Sequence, residues 1–252
     1  MTTVSTPVKQ VPGLGREEAG VLAAAENARF VELVQSLDAA DWVKPTDCSE
    51  WDVRALVSHV LGAMEANVSF RQFLHQFRAG RKVAGDRPDI DGMTEVQVRE
   101  RLDLGPDQLT ERLVAMAPKA ARARMRVPGV MRNRAMKVEV AGVKEPWTFG
   151  YLMDVIFTRD TWMHRVDITR ATGGAMVLSA EHDGRLVADV VAEWARRHGQ
   201  PFELHLEGPA GGSFAAGAAG EGEQLTLDAV EFCRIMSGRA TGDGLLTQEV
   251  PF

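Results

Sequence analysis

The stretch Thr148–Gly173, TFGYLMDVIFTRDTWMHRVDITRATG, places an aspartate and a histidine four positions apart, Asp160 and His164. Residues three and four apart share one face of a helix, so these two fall on a single stripe with Met153, Ile156, Phe157 and Ile168. The stripe is apolar except for a carboxylate and an imidazole one turn apart at its middle. Burial of such groups is costly unless something satisfies them. Two arrangements do so. Asp160 and His164 can converge on one metal ion, a known use of the i, i+4 spacing on a helix, or they can pair with each other.

A second imidazole stands in Thr46–Gly62, TDCSEWDVRALVSHVLG. Asp52 is suited to cap a helix, and Val53, Leu56, Val57, Val60 and Leu61 follow with helical periodicity, with His59 at the edge of their stripe. Two such helices packed side by side would bring His59, Asp160 and His164 together. Two imidazoles and one carboxylate form a facial ligand set that leaves coordination positions open for water or substrate.

The residues around these positions carry a resemblance. CSEWDVRALVSHVLG resembles the Cys-x-x-Trp-(Ser/Thr/Asp)-Val-Arg-x-Leu-x-x-His segment of the mycothiol-dependent maleylpyruvate isomerase family, whose N-terminal part is a DinB-like four-helix bundle. RDTWMHRVDITRATG is similar to the fourth-helix segment of that family, Glu-x-x-x-His followed by Arg-Val-Asp, with Asp160 in place of the glutamate. LTLDAVEFCRIMSGR and the terminal VPF resemble its small C-terminal domain, similar to sterol carrier protein type 2. The resemblance implies an α+β protein. Residues 16–174 would form the DinB-like four-helix bundle and 180–252 a small α+β domain, with 1–15 a flexible tail. It implies a divalent metal, zinc by preference, on His59, Asp160 and His164. It also implies mycothiol, a low-molecular-weight thiol, as cosubstrate. Asp160 is one methylene shorter than the usual ligand and would bring a metal closer to its helix.

Composition narrows the class. The 252 residues carry a net charge of −6, which argues against general nucleic-acid binding. Two cysteines, Cys48 and Cys233, make no disulfide framework. No apolar run of membrane-spanning length and no signal-peptide core is present, so a soluble cytoplasmic protein, monomer or homodimer, is expected. Within this acidic chain, Arg112 to Lys137 holds eight basic residues and no acidic one. They form either a solvated helix face or a positive wall for carboxylates on a substrate or thiol. Arg132 and Arg134 are the members of that run assigned to the thiol cofactor.

In chain order, the periodicity predicts helices over residues 16–40, 52–76 and 106–126, the last opening on Pro106. Between them, residues 78–91 read as a polar loop of lid length. Residues 127–147 read as a hairpin-like insert leading into the fourth helix, which Gly173-Gly174 terminates. Beyond lie a helix at 181–198, strands at 202–208, 213–216 and 223–227, a helix at 228–237, and a final strand after Arg239. Arg239, in the Ser-Gly-Arg turn, is assigned to a substrate carboxylate.

Together these features point to a metal-dependent, thiol-using isomerase or S-transferase acting on a small electrophilic, carboxylated substrate. The alternatives are a non-catalytic small-ligand-binding member of the same scaffold, or a metal hydrolase.

Overall fold

The computed structural model describes residues 5–140 and 143–252, and the chain divides into two compact units. One is Arg16–Ala175. The other joins Met176–Phe252 to the N-terminal segment up to Gly15.

The first unit is a helical bundle. Its helices are α1 (Arg16–Gln35), α2 (Val53–Val68), α3 (Phe70–Ala84), α4 (Asp89–Arg99), α5 (Pro106–Arg126) and α6 (Phe157–Thr172). Asp52 caps α2 by accepting from Ala55 N at 2.8 Å. Phe30, Leu56, Val57, Leu61, Leu109, Leu113 and Ile168 interlock in a core from which water is fully excluded. Glu26 of α1 and Arg165 of α6 are buried with them as a bidentate pair at 2.9 and 3.1 Å. A two-stranded antiparallel hairpin, β2 (Ala135–Val140) and β3 (Val143–Thr148), precedes α6. The hairpin was anticipated; Ala141 and Gly142 lie outside the described residues. A π-helical turn, Leu152–Ile156, then feeds α6, which stops at Gly173 in the left-handed conformation (φ 72°).

Two expectations for this unit are corrected. The helix expected over 52–76 is two helices. Ser69 leaves the helical region (φ −127°, ψ 111°) and caps α3 by accepting from Gln72 N. Periodicity runs on through both helices and hides the break. Residues 78–91 are not a polar loop, because α3 continues to Ala84 and α4 begins at Asp89. The two helices can lie close because Gly80 and Gly92 meet where they cross. A Cβ on Gly92 would sit 2.1 Å from Gly80 O, and one on Gly80 would sit 2.7 Å from Met93 N.

In the second unit a four-stranded sheet has the order β1-β5-β4-β6, with β1 Thr6–Pro7, β4 Phe202–Glu207, β5 Gly212–Ala216 and β6 Glu223–Asp228. β4 runs antiparallel to β5 and parallel to β6. Helices α7 (Arg185–His198) and α8 (Ala229–Met236) accompany it. Trp194 of α7 packs edge-on against Phe202 and Phe232, with centroids 4.8 and 5.5 Å away. The segment expected as a flexible tail supplies a strand: Thr6 and Pro7 pair in parallel with Phe214 and Ala215. The strand expected after Arg239 is replaced by a single 3-10 turn, Gly244–Thr247. Among the described residues, no helix is long and apolar enough to cross a membrane.

The α3–α4 crossing makes a testable demand. Gly92→Ala forces backbone apart and should lower the unfolding free energy in urea by about 1–3 kcal/mol despite alanine's better helix propensity. Gly129→Ala, whose Cβ meets nothing within 4 Å, should leave it unchanged.

Candidate metal centre

His59 comes from the second turn of α2, Asp160 and His164 from successive turns of α6. Both imidazoles are buried, at 5% and 4% exposure, whereas Asp160 keeps a quarter of its side chain open. His59 Nε2 stands 3.4 Å from Asp160 Oδ2, and His164 Nε2 stands 3.3 Å from Asp160 Oδ1. These separations are longer than a good N–H···O hydrogen bond. Each ring thus lies near the ligand-to-ligand spacing of a zinc site, about 3.3 Å for bonds of about 2.0–2.1 Å, from a different oxygen of the same carboxylate. The three donor atoms lie within 4.8 Å of one another.

The far side of each ring is held. His164 Nδ1 donates to Asp167 Oδ2 at 2.9 Å, and Asp167 is fully buried. A carboxylate can only accept, so Nδ1 carries a proton, and in the neutral ring it is the Nε2 lone pair that faces Asp160. His59 Nδ1 lies 2.8 Å from Gln97 Oε1. Trp51 flanks both rings, with centroids 5.1 Å from His59 and 6.3 Å from His164, and the two imidazoles meet edge to face at 5.1 Å. A neutral His164 thus turns a lone pair toward a carboxylate, an arrangement that repels unless a cation, proton or metal, lies between them.

The electrostatics follow from that conflict. Burial by itself would push the His164 imidazolium toward neutrality. The Asp160 charge outweighs it, with help from Asp167, and holds His164 well above the ordinary histidine range. Burial likewise opposes the Asp160 charge, but His164 and His59 overcome it and hold the carboxylate well below its ordinary value. Arg124 of α5 is buried beside Phe157, its guanidinium carbon 5.2 Å from the ring centroid, and donates to Thr158 Oγ1 at 3.2 Å. Burial pulls its pKa down to about 10, with Asp160 and Asp154 opposing, so it stays charged at neutral pH.

The family model for the mycothiol maleylpyruvate isomerase N-terminal domain matches residues 23–169, which contain all three donors. The chain belongs to this family. Two crystal structures of a mycothiol-dependent maleylpyruvate isomerase are similar in fold. One is 18% identical over 98% of both chains with a TM-score of 0.58. The other, a histidine-to-alanine mutant, is 16% identical over 94% of this chain and 93% of that one, with a TM-score of 0.57. No curated protein matches the sequence.

Three other residues were expected at the site of this family member. Arg132 is buried and its guanidinium is taken up by the Asp154 carboxylate and by Arg124 O. Arg134 is exposed. Arg239 belongs to the other unit, where its backbone N donates to Arg234 O at the end of α8. Asp167, Trp51 and Gln97 escaped selection from the sequence, while Arg124 was in view only as a member of the basic run Arg112 to Lys137. Asp167 was nevertheless in view, as the last residue of the Arg-Val-Asp segment. Cys48 is half-buried, and its Sγ lies 3.6 Å from Asp167 Oδ2.

In chelator, the metal-free protein should show the proton linkage. His164 binds its proton more tightly folded than unfolded. That stabilisation is complete below the unfolded value, about 6.5, and is lost as pH rises through the raised folded value. Asp160→Asn removes the charge responsible. The stability gap between wild type and variant, from urea titrations between neutral and alkaline pH, should therefore narrow as pH rises. A widening gap would contradict the assignment.

Proposed function

We propose that this protein is a metal-dependent, mycothiol-using enzyme, an isomerase or S-transferase for a small electrophilic substrate that carries a carboxylate. The observation that carries the reading is the donor set: two imidazole Nε2 atoms and one carboxylate converge within 4.8 Å in a member of this family. His59, Asp160 and His164 would hold the ion, and zinc suits two neutral nitrogens and one oxygen. A bound divalent ion supplies a Lewis acid that keeps a thiol deprotonated or polarises a substrate oxygen at neutral pH.

The chain's own contribution is positional. Asp167 and Gln97 fix the two rings, Trp51 shields one side of them, and the open quarter of Asp160 leaves room for an incoming group. In the proposed isomerisation the thiolate sulfur adds to the conjugated double bond, whose electron pair moves to the carbonyl oxygen. The former double bond then turns as a single bond. Return of the electron pair expels the thiolate and restores every atom. Maleylpyruvate, named for the structural relatives, is the first substrate to test. Transfer would stop at the adduct, its enolate taking back the proton that the thiol gave up. Arg239 is proposed to bind the substrate carboxylate through its planar fork. For an acidic group of the thiol the proposal favours Arg134, since Arg132 is already engaged by Asp154.

The alternative is a non-catalytic ligand-binding member of the scaffold, motivated by Asp160 in place of glutamate. Elemental analysis and turnover with mycothiol separate the two. One divalent ion per chain and turnover requiring both metal and thiol are expected. His59→Ala should weaken zinc binding by more than the ~10–100-fold typical of outer-shell losses, with the fold retained. Asp160→Glu should bind at least as tightly as wild type. Full metal retention in His59→Ala, or turnover by a metal-free wild type, would overturn the proposal.

A further inference from the structure

A buried chain of side-chain amides ends on His59. His59 Nδ1 lies 2.8 Å from Gln97 Oε1, Gln97 Nε2 donates to Gln76 Oε1 at 2.9 Å, and Gln76 Nε2 donates to Gly62 O at 3.0 Å. Gln76 of α3 is fully buried and Gln97 of α4 is 3% exposed, so their amides are shut off from bulk solvent. The far end of this chain is a backbone carbonyl, which can only accept. That decides the orientation of everything before it. Turning the Gln76 amide over would set its oxygen against Gly62 O. With Gln76 fixed, turning Gln97 over would set its oxygen against Gln76 Oε1. One polarity satisfies every group, and in it Gln97 offers His59 an oxygen.

We propose that Gln76 and Gln97 are positioning residues that lock His59 in its Nδ1–H tautomer, so that the Nε2 lone pair is committed to a metal. The inference rests on the metal reading of His59, Asp160 and His164, and it adds residues that touch neither metal nor substrate. Its physical basis is that neutral imidazole has two tautomers, and the hydrogen bond at one nitrogen selects which nitrogen is free to ligate. His164 uses a carboxylate for this purpose. His59 uses a neutral amide, which could serve as donor or acceptor and therefore needs its own orientation imposed from further out. Arg101 restrains the α4 end, donating to Gln97 O and pairing with Glu65 of α2. Gly62 makes the approach feasible, since a Cβ there would lie 2.7 Å from Gln97 Cβ. α3 and α4 thus form a wall whose inner polar pair sets the ligand state of a histidine on α2.

Two measurements test this, on the full-length protein. The first is the tautomer of His59, from long-range proton–nitrogen NMR spectra of the metal-free protein at a pH where the ring is neutral. The second is the zinc dissociation constant from competition with a chromophoric chelator. Wild type should show Nδ1–H. Gln76→Leu does not touch His59 but frees the Gln97 amide to turn, so it should admit the Nε2–H form and weaken zinc ~10–100-fold, as other outer-shell losses do. Adding Gln97→Glu to Gln76→Leu supplies a group that can only accept, and should restore Nδ1–H and return affinity to within a few-fold of wild type. That rescue distinguishes ring orientation from a packing defect. Nε2–H in wild type, or an unchanged tautomer and affinity in Gln76→Leu, would overturn the proposal. A wild type with the Nδ1–H tautomer that binds no zinc would overturn the metal reading while the relay stands.

Discussion

Everything in the helical unit turns on one electrostatic conflict. An aspartate that is three-quarters buried faces two imidazole nitrogens, of which at least that of His164 presents a lone pair. Acceptors brought to 3.3–3.4 Å repel unless positive charge lies between them. Without metal, a proton on His164 meets that need, and the raised affinity of His164 for its proton reflects it. A divalent ion meets it more completely, because it serves both rings at once. Proton and metal would therefore compete for the same small volume.

Such a site needs rigid walls. α2 and α6 present the donors, and the core of Leu56, Val57, Leu61, Leu109 and Ile168 holds their backbones. Glu26 and Arg165 tie α1 to α6 on a neighbouring face. α3 and α4 close in through glycine contacts and carry the amide pair behind His59. A family fold with a facial donor set invites metal chemistry, but the reaction depends on what the open positions and nearby cations admit. Arg124, buried and charged near Asp160, adds positive charge to the surroundings that an anionic substrate would meet.

The three donors were legible because Asp160 and His164 interrupt an apolar helical stripe and His59 borders another, a pattern that demands a partner. α5 was legible to the residue, since Pro106 marks its start and the apolar periodicity carries on past the interior Pro118. Other features carried no such mark. The break at Ser69 hides because hydrophobic periodicity continues on both sides, although a serine three residues before Gln72 is a capping pattern. The lid-length loop at 78–91 was misread because its Arg, Lys, Asp and Gly content describes an exposed helical hairpin equally well. β1 is two residues long and pairs with a strand some two hundred positions away, a contact no local pattern reports. Gln76 and Gln97 were invisible because a glutamine on a helix announces nothing until its burial is known.

The central claim is that a divalent ion is held by imidazole and carboxylate from α2 and α6 with room left for a thiol. X-ray absorption at the zinc edge of the zinc-loaded protein tests it most directly. The account predicts two imidazole nitrogens and oxygen ligands with no sulfur in the resting protein. One sulfur at about 2.3 Å should appear when mycothiol is added. Sulfur already present before the thiol is added would place Cys48 on the metal. A shell of oxygen alone would remove the histidines from it. Either result would contradict the account.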